Sequence, residues 1–240
     1  EAGFLEPVPA DKQAALTEDA VDTIVQAAMW KDQMVAAPMW ANTQVLWYRK
    51  SVAEAAGLDM TKPVTWDQII EAAKSQKKVI GVQANRYEGY SVWINALVEG
   101  AGGHIVENPG ATGAELQLGL QTPAGKKAAE IIQSVAKAGV GGPALSSSNE
   151  TTALDFFTND STSGFLLNWP YVWAALAERK VDWIDDVSWA RYPQSVAGQE
   201  SKPPLGGIEL GVNAASDAKE NAWEAIQCIT SAEHQELYML

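Results

Sequence analysis

Polar side chains cluster at four places where predicted strands end or are interrupted: Asn42-Thr43-Gln44, Asn85-Arg86-Tyr87-Glu88, Ser148-Asn149-Glu150 and Asn168-Trp169. In open α/β sheets, ligands bind outside the carboxyl ends of the strands. Amide side chains donate and accept hydrogen bonds, and an ionised carboxylate accepts them strongly, so these residue types suit a ligand with paired hydroxyl groups. Each cluster also has the composition of ordinary turns and caps. Their recurrence at successive strand ends favours a binding site.

Pairs of carboxyl groups offer a second kind of chemistry. Glycoside hydrolysis needs two of them, one acid with a raised pKa and one base or nucleophile. The sequence does not show two carboxyl groups facing each other, so a glycoside-acting enzyme stays the alternative function. The candidates in an aromatic setting are Glu88, Glu150, Asp155 and Asp160.

Other chemistries find little support in the sequence. There is no Walker A motif, and the glycines of the stretch 205–211 have the wrong spacing for a dinucleotide-binding loop. The two histidines, His104 and His234, stand without a G-x-S-x-G elbow or an H-E-x-x-H motif. The single cysteine, Cys228, excludes an internal disulfide and a zinc site with several cysteines. We therefore predict no cofactor, no metal and no catalytic residue.

Composition narrows the choice of partner further. The 240 residues suit one large domain or two small lobes, and the formal net charge of −13 argues against a nucleic-acid partner. The longest apolar run, 34–41, is far shorter than the roughly 20 residues of a membrane-spanning helix. Ten Trp against four Phe favour an amphipathic planar ligand such as a sugar ring, because Trp adds a flat face and a hydrogen-bond donor.

Strands alternate with helices along the chain, which predicts an α/β protein. Thr65 and Gln68 form a predicted capping box, and Thr122-Pro123 begins a helix with proline at its first position. Helices are predicted over about 17–30, 51–56, 65–77, 87–99, 123–139, 150–159, 170–179, 217–229 and 230–240, and strands over 34–39, 45–48, 79–83, 163–169, 187–192 and 205–213.

Four stretches, in order, resemble the extracellular solute-binding proteins of ABC sugar importers. Residues 34–50 look like the strand that crosses between two lobes, and Pro63-Val-Thr-Trp-Asp-Gln-Ile looks like the family's P-x-T-W-D/E-E-L helix start. Phe165-Leu-Leu-Asn-Trp-Pro-Tyr-Val is similar to its M-x-x-x-G-x-W segment, with Asn168 at the glycine position. Residues 204–216 look like the return strand.

The resemblance implies a two-lobe clamp of the class II periplasmic-binding type. Residues 1–41 and 212–240 would belong to the first lobe and 42–205 to the second, with hinge crossings near 41–44 and 206–211. The first lobe is expected to be incomplete, because the sequence looks truncated at both ends relative to this family. The partners implied are a disaccharide, trehalose above all, and the permease subunits of an ABC importer. The location implied is outside the cytoplasm, with a lipid anchor outside this chain as the sole membrane contact.

Five ligand contacts follow from the resemblance with a stated role. Asn42, on the crossing strand, matches a contact to a sugar hydroxyl. Glu150 matches an acidic sugar contact, and Trp169 matches a tryptophan that stacks on the sugar ring. Tyr87 and Glu88 match a loop that supplies an aromatic residue and an acid.

Five further positions complete the predicted ligand site. Gly206 and Gly207 match the place where the hinge backbone passes the ligand. Thr43, Gln44 and Asn149 lie beside the stronger matches and are predicted as additional contacts. A buried hydroxyl that finds its partner is retained, whereas an analogue lacking it leaves a polar group unpaired at a cost of ~1–3 kcal/mol.

Overall fold

The computed structural model describes residues 3–239, and for Met239 only the backbone. Helices and strands are mixed along the chain, which confirms the predicted α/β class. The described residues form two compact units. We name the two units by their order along the chain. The outer unit consists of residues up to Asn42 together with those from Leu205 onward, and the inner unit runs from Thr43 to Pro204. The predicted lobes and hinge crossings stay predictions.

The helices and strands of the described residues follow in chain order. The helices are α1 (Ala10–Thr17), α2 (Asp22–Ala27), α3 (Lys50–Ala55), α4 (Trp66–Ser75), α5 (Glu88–Gly100), α6 (Pro123–Lys137), α7 (Glu150–Phe157), α8 (Val172–Glu178), α9 (Lys219–Ile229) and α10 (Ala232–Met239). The strands are β1 (Met29–Trp30), β2 (Gln33–Met34), β3 (Ala37–Thr43), β4 (Val45–Arg49), β5 (Val79–Gly81), β6 (Ser163–Asn168), β7 (Val187–Ala190) and β8 (Leu205–Leu210).

A four-stranded sheet in the order β5-β6-β4-β7 organises the inner unit. β5 and β6 run parallel, whereas β4 is antiparallel to both β6 and β7, with Val45 opposite Asn168. The ends of β5 and β6 therefore share one edge of the sheet with the start of β4. We call this the Asn168 edge. The end of β4 at Arg49 and the start of β6 lie at the opposite edge, the Arg49 edge.

Both faces of this sheet are covered by helices. Successive strand residues point to opposite faces, so Leu46 packs with residues of α4, α5 and α6, while Trp47 packs with residues of α7 and α8. Trp66 and Trp93 are fully buried in the first layer, with ring centroids 5.7 Å apart. Burying a large apolar side chain contributes roughly 1.5–3 kcal/mol. Packed helices therefore stabilise the sheet on both of its faces.

An ionic network closes the Arg49 edge. Arg49, with 9% of its surface exposed, donates from Nε to Asp186 at 2.5 Å and from Nη1 to Asp160 at 2.7 Å. Its guanidinium lies 4.0 Å from the Trp183 ring centroid. Burial works to raise the pKa of Asp186, but the hydrogen bonds from Ser51 and Arg49 outweigh it and lower the pKa. The Arg49 hydrogen bond also lowers the pKa of Asp160.

The outer unit joins segments from distant parts of the chain. Glu6 N donates to Val212 O at 2.8 Å, and Leu5 bridges Asn213. β3 pairs with β8, and the Trp40 ring stacks on Tyr238 at 5.4 Å between centroids. The buried residues of its core are Val8, Leu16, Ala28, Met34, Ala36, Ala37, Val212, Trp223 and Ile226.

The structure corrects several predicted elements. The single helix predicted over 17–30 is wrong: α1 and α2 are separate helices, and a β1–β2 hairpin begins at Met29. The strand predicted over 34–39 is displaced, since β3 runs to Thr43 by pairing with β8. The Thr65–Gln68 capping box is confirmed, with Gln68 N donating to Thr65 Oγ1 at 3.2 Å. Residue 240 of the last predicted helix lies outside the described residues.

Candidate functional site

Tyr87, Glu150 and Asn168 come together at the Asn168 edge. The Tyr87 hydroxyl donates to Glu150 Oε2 at 2.6 Å. Asn168, fully buried, donates from Nδ2 to the Glu150 main-chain oxygen at 3.0 Å, and its Oδ1 accepts from Trp169 N at 2.9 Å. Three polar residues thus join three segments that are distant in sequence.

The electrostatics of this cluster give each group a defined role. Burial, followed by the hydrogen bond to Glu150, raises the pKa of Tyr87 well above its usual 10. Tyr87 therefore stays protonated and remains a donor at neutral pH. Glu150 is the first residue of α7, where the helix dipole favours a negative charge. Tyr87 donates to Oε2, and none of the residues that the structure describes donates to Oε1, which leaves that atom to accept a hydrogen bond from a ligand.

Backbone contacts hold the loops that carry these residues. The Ser148 main-chain oxygen accepts from Ala84 N at 3.0 Å and from Asn85 N at 2.9 Å, so the loop after β5 is tied to the start of α7. Asn149 is the N-cap of α7 and forms a capping box with Thr152. Asn149 Oδ1 is used in that cap, and the predicted ligand contact of Asn149 stays a prediction.

Two buried glutamines lie beside this cluster. Gln44 Nε2 donates to Gln83 Oε1 at 3.2 Å, and Gln83 Nε2 donates to the Leu167 main-chain oxygen at 2.8 Å. Each glutamine is 1% exposed. Gln44 was among the predicted contacts, but sequence reasoning missed Gln83 because it placed that residue within a strand. The signal that could have found it was a polar residue at the end of a predicted buried strand.

Glu88 and Trp169 flank the cluster, and Thr43 begins the inner unit. Glu88 is exposed as the first residue of α5, and Trp169 is half-buried directly after β6. Thr43 Oγ1 donates to the Pro204 main-chain oxygen at 2.8 Å. The structure thus places seven of the ten predicted site residues in the inner unit: Thr43, Gln44, Tyr87, Glu88, Asn149, Glu150 and Trp169.

The other three predicted site residues belong to the outer unit. Asn42 is half-buried at the end of β3, with Oδ1 buried and unpaired among the described residues. Gly206 and Gly207 lie in β8. A Cβ atom at Gly207 would collide with the Trp40 main-chain oxygen, so packing alone explains why this position is glycine. Roles of these three residues in ligand binding stay predictions.

The structure does not support a catalytic carboxylate pair. Asp160 binds Arg49 at the opposite edge, just before β6, whose six residues from Ser163 to Asn168 span roughly 17 Å. Asp155 is paired with Arg179 at 2.8 Å and, five residues after Glu150, faces a different side of α7. Glu88 is exposed, whereas a catalytic acid needs an apolar pocket to raise its pKa.

Both histidines have local partners. His104 Nδ1 lies 2.9 Å from Glu99 Oε1, and this contact raises the pKa of His104. His234 Nδ1 lies 2.8 Å from Ser231 Oγ. Within residues 3–239, His, Cys, Asp and Glu form no group of three or more that could hold a metal ion. None of the helices described is long and apolar enough to cross a membrane.

Comparison with known families gives a match over residues 1–236, to the bacterial extracellular solute-binding proteins. The chain belongs to this family. A probable ABC transporter-binding protein of Deinococcus radiodurans is 28% identical over 229 residues, covering 88% of this chain and 51% of the relative. The chain therefore spans about half the length of this curated relative.

Solved structures show the same fold. Maltose-bound MalE3 of T. maritima superposes with a TM-score of 0.83 at 27% identity, over 97% of this chain and 59% of the other. A solute-binding protein of Thermotoga lettingae with bound α-D-tagatose gives 0.79 at 21% identity, over 98% and 60%. The fold is thus that of maltose-binding-protein-like periplasmic binding proteins.

Proposed function

We propose that this chain is the ligand-binding part of an extracytoplasmic carbohydrate receptor. It captures a disaccharide, trehalose in the first place, and delivers it to the permease of an ABC importer without chemical change. A lipid anchor on a residue outside this chain would hold the receptor at the cell envelope. Membership of the solute-binding family and the bound sugars of its structural neighbours support this proposal.

The Tyr87–Glu150–Asn168 cluster is the observation that carries the proposal. Tyr87 and Asn168 fix Glu150 at the Asn168 edge, where one carboxylate oxygen is free to accept from a ligand hydroxyl. A half-buried Trp169 follows directly and offers an aromatic face for a sugar ring. A carboxylate acceptor and net charge of −13 favour a neutral, hydroxyl-rich ligand over an anionic one.

Calorimetric titration of this chain with trehalose, maltose and D-mannitol tests the proposal, followed by chromatography of the recovered ligand. We expect saturable binding, tightest for trehalose, and recovery of intact sugar. Tighter binding of maltose would correct the specificity and leave the receptor function standing. Hydrolysed sugar, or no binding to any of the three, would contradict the proposed receptor.

Gly89 allows a test of the Tyr87–Glu150 contact without altering either residue. A Cβ atom at Gly89 would collide with the Tyr87 hydroxyl. We expect Gly89→Ala to move the phenol off Glu150 and to weaken sugar binding about 5- to 20-fold, the equivalent of one hydrogen bond to a charged group. The unfolding free energy should change by less than about 1 kcal/mol, since alanine is a better helix former than glycine.

The matched control for this substitution is Gly110→Ala. No heavy atom lies within 4 Å of a Cβ built on Gly110, so this variant should bind sugar as the wild type does. Titration calorimetry measures both affinities, and chemical denaturation measures both stabilities. Wild-type affinity in Gly89→Ala would show that the Tyr87–Glu150 contact does not support binding.

A further inference from the structure

The buried amides of Gln44 and Gln83 have a fixed orientation. The Leu167 main-chain oxygen can only accept a hydrogen bond, so the Gln83 group that faces it at 2.8 Å must be the Nε2 donor. Gln83 Oε1 then faces Gln44 and must accept from Gln44 Nε2, at 3.2 Å. The backbone of β6 thus fixes the orientation of the Gln83 amide, and Gln83 in turn fixes the orientation of the Gln44 amide.

With both amides oriented in this way, one of their two oxygen atoms has no donor. Gln44 Oε1 is buried and has no hydrogen-bond partner among the described residues, although Gln44 is only 1% exposed. A buried carbonyl oxygen without a partner costs about 1–3 kcal/mol, and a donor brought by a ligand would recover that cost. Its orientation also excludes a ligand acceptor, such as a carboxylate oxygen, from the same place.

Gln44 and Gln83 lie beside the candidate site. Gln44 directly precedes Val45, which pairs with Asn168 at the Asn168 edge. A Cβ atom at Gly89 would lie 3.0 Å from Gln83 Cβ and would also collide with the Tyr87 hydroxyl. Gln83 and the Tyr87–Glu150 pair therefore flank the same glycine.

We propose that Gln83 is a positioning residue that orients the Gln44 amide, and that Gln44 Oε1 accepts a hydrogen bond from a hydroxyl group of the bound carbohydrate. This inference rests on the proposed receptor function and adds the polarity of one contact to it. Glu150 Oε1 and Gln44 Oε1 are both acceptors, so the ligand must present donors to each. A neutral polyol or sugar meets that requirement.

The Gln83→Glu variant tests the orientation of the Gln44 amide through the pH dependence of its sugar affinity. An ionised carboxylate cannot donate to Leu167 O, so the Gln44 amide loses its fixed orientation. A protonated carboxyl can donate there and still accept from Gln44 Nε2 through its other oxygen. Burial raises the pKa of the introduced carboxyl. We expect sugar affinity roughly tenfold below wild type at about pH 8, recovering to within about twofold at about pH 5.

Two comparisons keep this experiment specific. The exposed Gln133→Glu substitution, on α6, adds the same charge away from the site and should leave the pH profile of the wild type unchanged. Gln83→Met removes both hydrogen bonds and should bind weakly at every pH. A Gln83→Glu variant whose affinity stays parallel to that of the wild type from about pH 8 to about pH 5 would overturn the positioning role.

Monodeoxyfluoro analogues of trehalose and maltose test the acceptor itself, since a carbon-bound fluorine cannot donate a hydrogen bond. For wild-type protein we expect fluorination to weaken binding about tenfold at the hydroxyl that donates to Gln44 Oε1, and also at the hydroxyl that donates to Glu150 Oε1. Gln44→Met should abolish the loss at the first of these positions only. Equal losses in both proteins at every position would overturn the Gln44 contact while sugar binding still supports the receptor. No binding of any sugar by the wild type would overturn both proposals.

Discussion

Replacing Glu150 by glutamine is expected to weaken carbohydrate binding about 10- to 100-fold, because hydrogen bonds to a charged acceptor contribute about 1.5–3 kcal/mol. Glutamine keeps the volume and an oxygen that can accept from Tyr87, but the charge is lost. The main-chain oxygen that accepts from Asn168 is unaffected, so the fold should be retained. Titration calorimetry measures the affinity, and near-ultraviolet circular dichroism checks the packing of the aromatic residues.

Two variants bracket this result. Glu130→Gln removes an equal charge from the exposed face of α6 and should bind sugar as the wild type does. Trp169→Ala removes the aromatic face beside Glu150 and should also weaken binding strongly while the protein stays folded. Wild-type affinity in both Glu150→Gln and Trp169→Ala would refute the assignment of the site to the Asn168 edge.

Replacing Arg49 by methionine is expected to have the largest effect on stability. The change leaves the half-buried Asp186 without its guanidinium partner and removes the contact with the Trp183 ring. Removing one member of a buried ion pair costs about 3–5 kcal/mol, and the partial exposure of Asp186 reduces the expected loss to about 2–4 kcal/mol. Urea denaturation at about pH 7 measures the unfolding free energy.

The pH dependence of this loss identifies its cause. The pKa values of Asp160 and Asp186 are lowered from 3.8 in the folded chain, so the network stabilises the fold above that pH. Its contribution is lost as pH falls through the lowered values. The stability difference between wild type and Arg49→Met should therefore shrink between about pH 5 and about pH 2. A difference independent of pH would attribute the loss to packing alone.

An exposed ion pair provides the control for Arg49. Lys74 and Glu71 are 3.7 Å apart on the surface of α4, and such pairs contribute about 0–1 kcal/mol. Lys74→Met should accordingly change the unfolding free energy little at any pH. A loss as large as that of Arg49→Met would show that the assay reports a general effect of removed positive charge.

Local signals in the sequence predicted many elements of the inner unit. The capping box at Thr65 and the proline at the start of α6 depend on neighbouring residues, and both were readable without tertiary information. Prediction failed where long-range pairing decided the outcome. β5 ends at Gly81 rather than residue 83, and the Gln83 side chain, not a continued strand, bonds the Leu167 carbonyl.

The outer unit was harder to predict for the same reason. α1 has one buried residue, Leu16, so its helical periodicity is weak. The β1–β2 hairpin pairs short, partly exposed segments within a stretch whose pattern predicted a helix. Strand β3 continues through the polar Asn42 and Thr43 because β8, more than 160 residues later in the sequence, supplies its partner. The residues around β3 contain no local signal that identifies that partner.

The candidate site divides along similar lines. Residue types at strand ends indicated which segments to consider, and the resemblance selected Glu150 and Tyr87 among them. The contact between these two residues spans 63 positions, and no local pattern specifies it. Asp155 and Asp160 are carboxylates as well, but they form ion pairs with arginines that lie 24 and 111 positions away in the sequence. Only the tertiary structure separated the acid at the candidate site from the two acids that pair with arginines.

The connectivity of the outer unit imposes an order of assembly on the chain. Glu6 pairs with Val212, and Lys12 with Glu220, so these contacts close loops of more than 200 residues. The inner unit is continuous from Thr43 to Pro204 and needs no such closure. During synthesis, the inner unit can complete its sheet as it emerges, whereas residues 3–42 gain their partners from Leu205 onward only after the inner unit has been translated. Val8 and Leu16 therefore lack their core partners Val212 and Trp223 in the nascent chain until the segment from Leu205 onward has been translated.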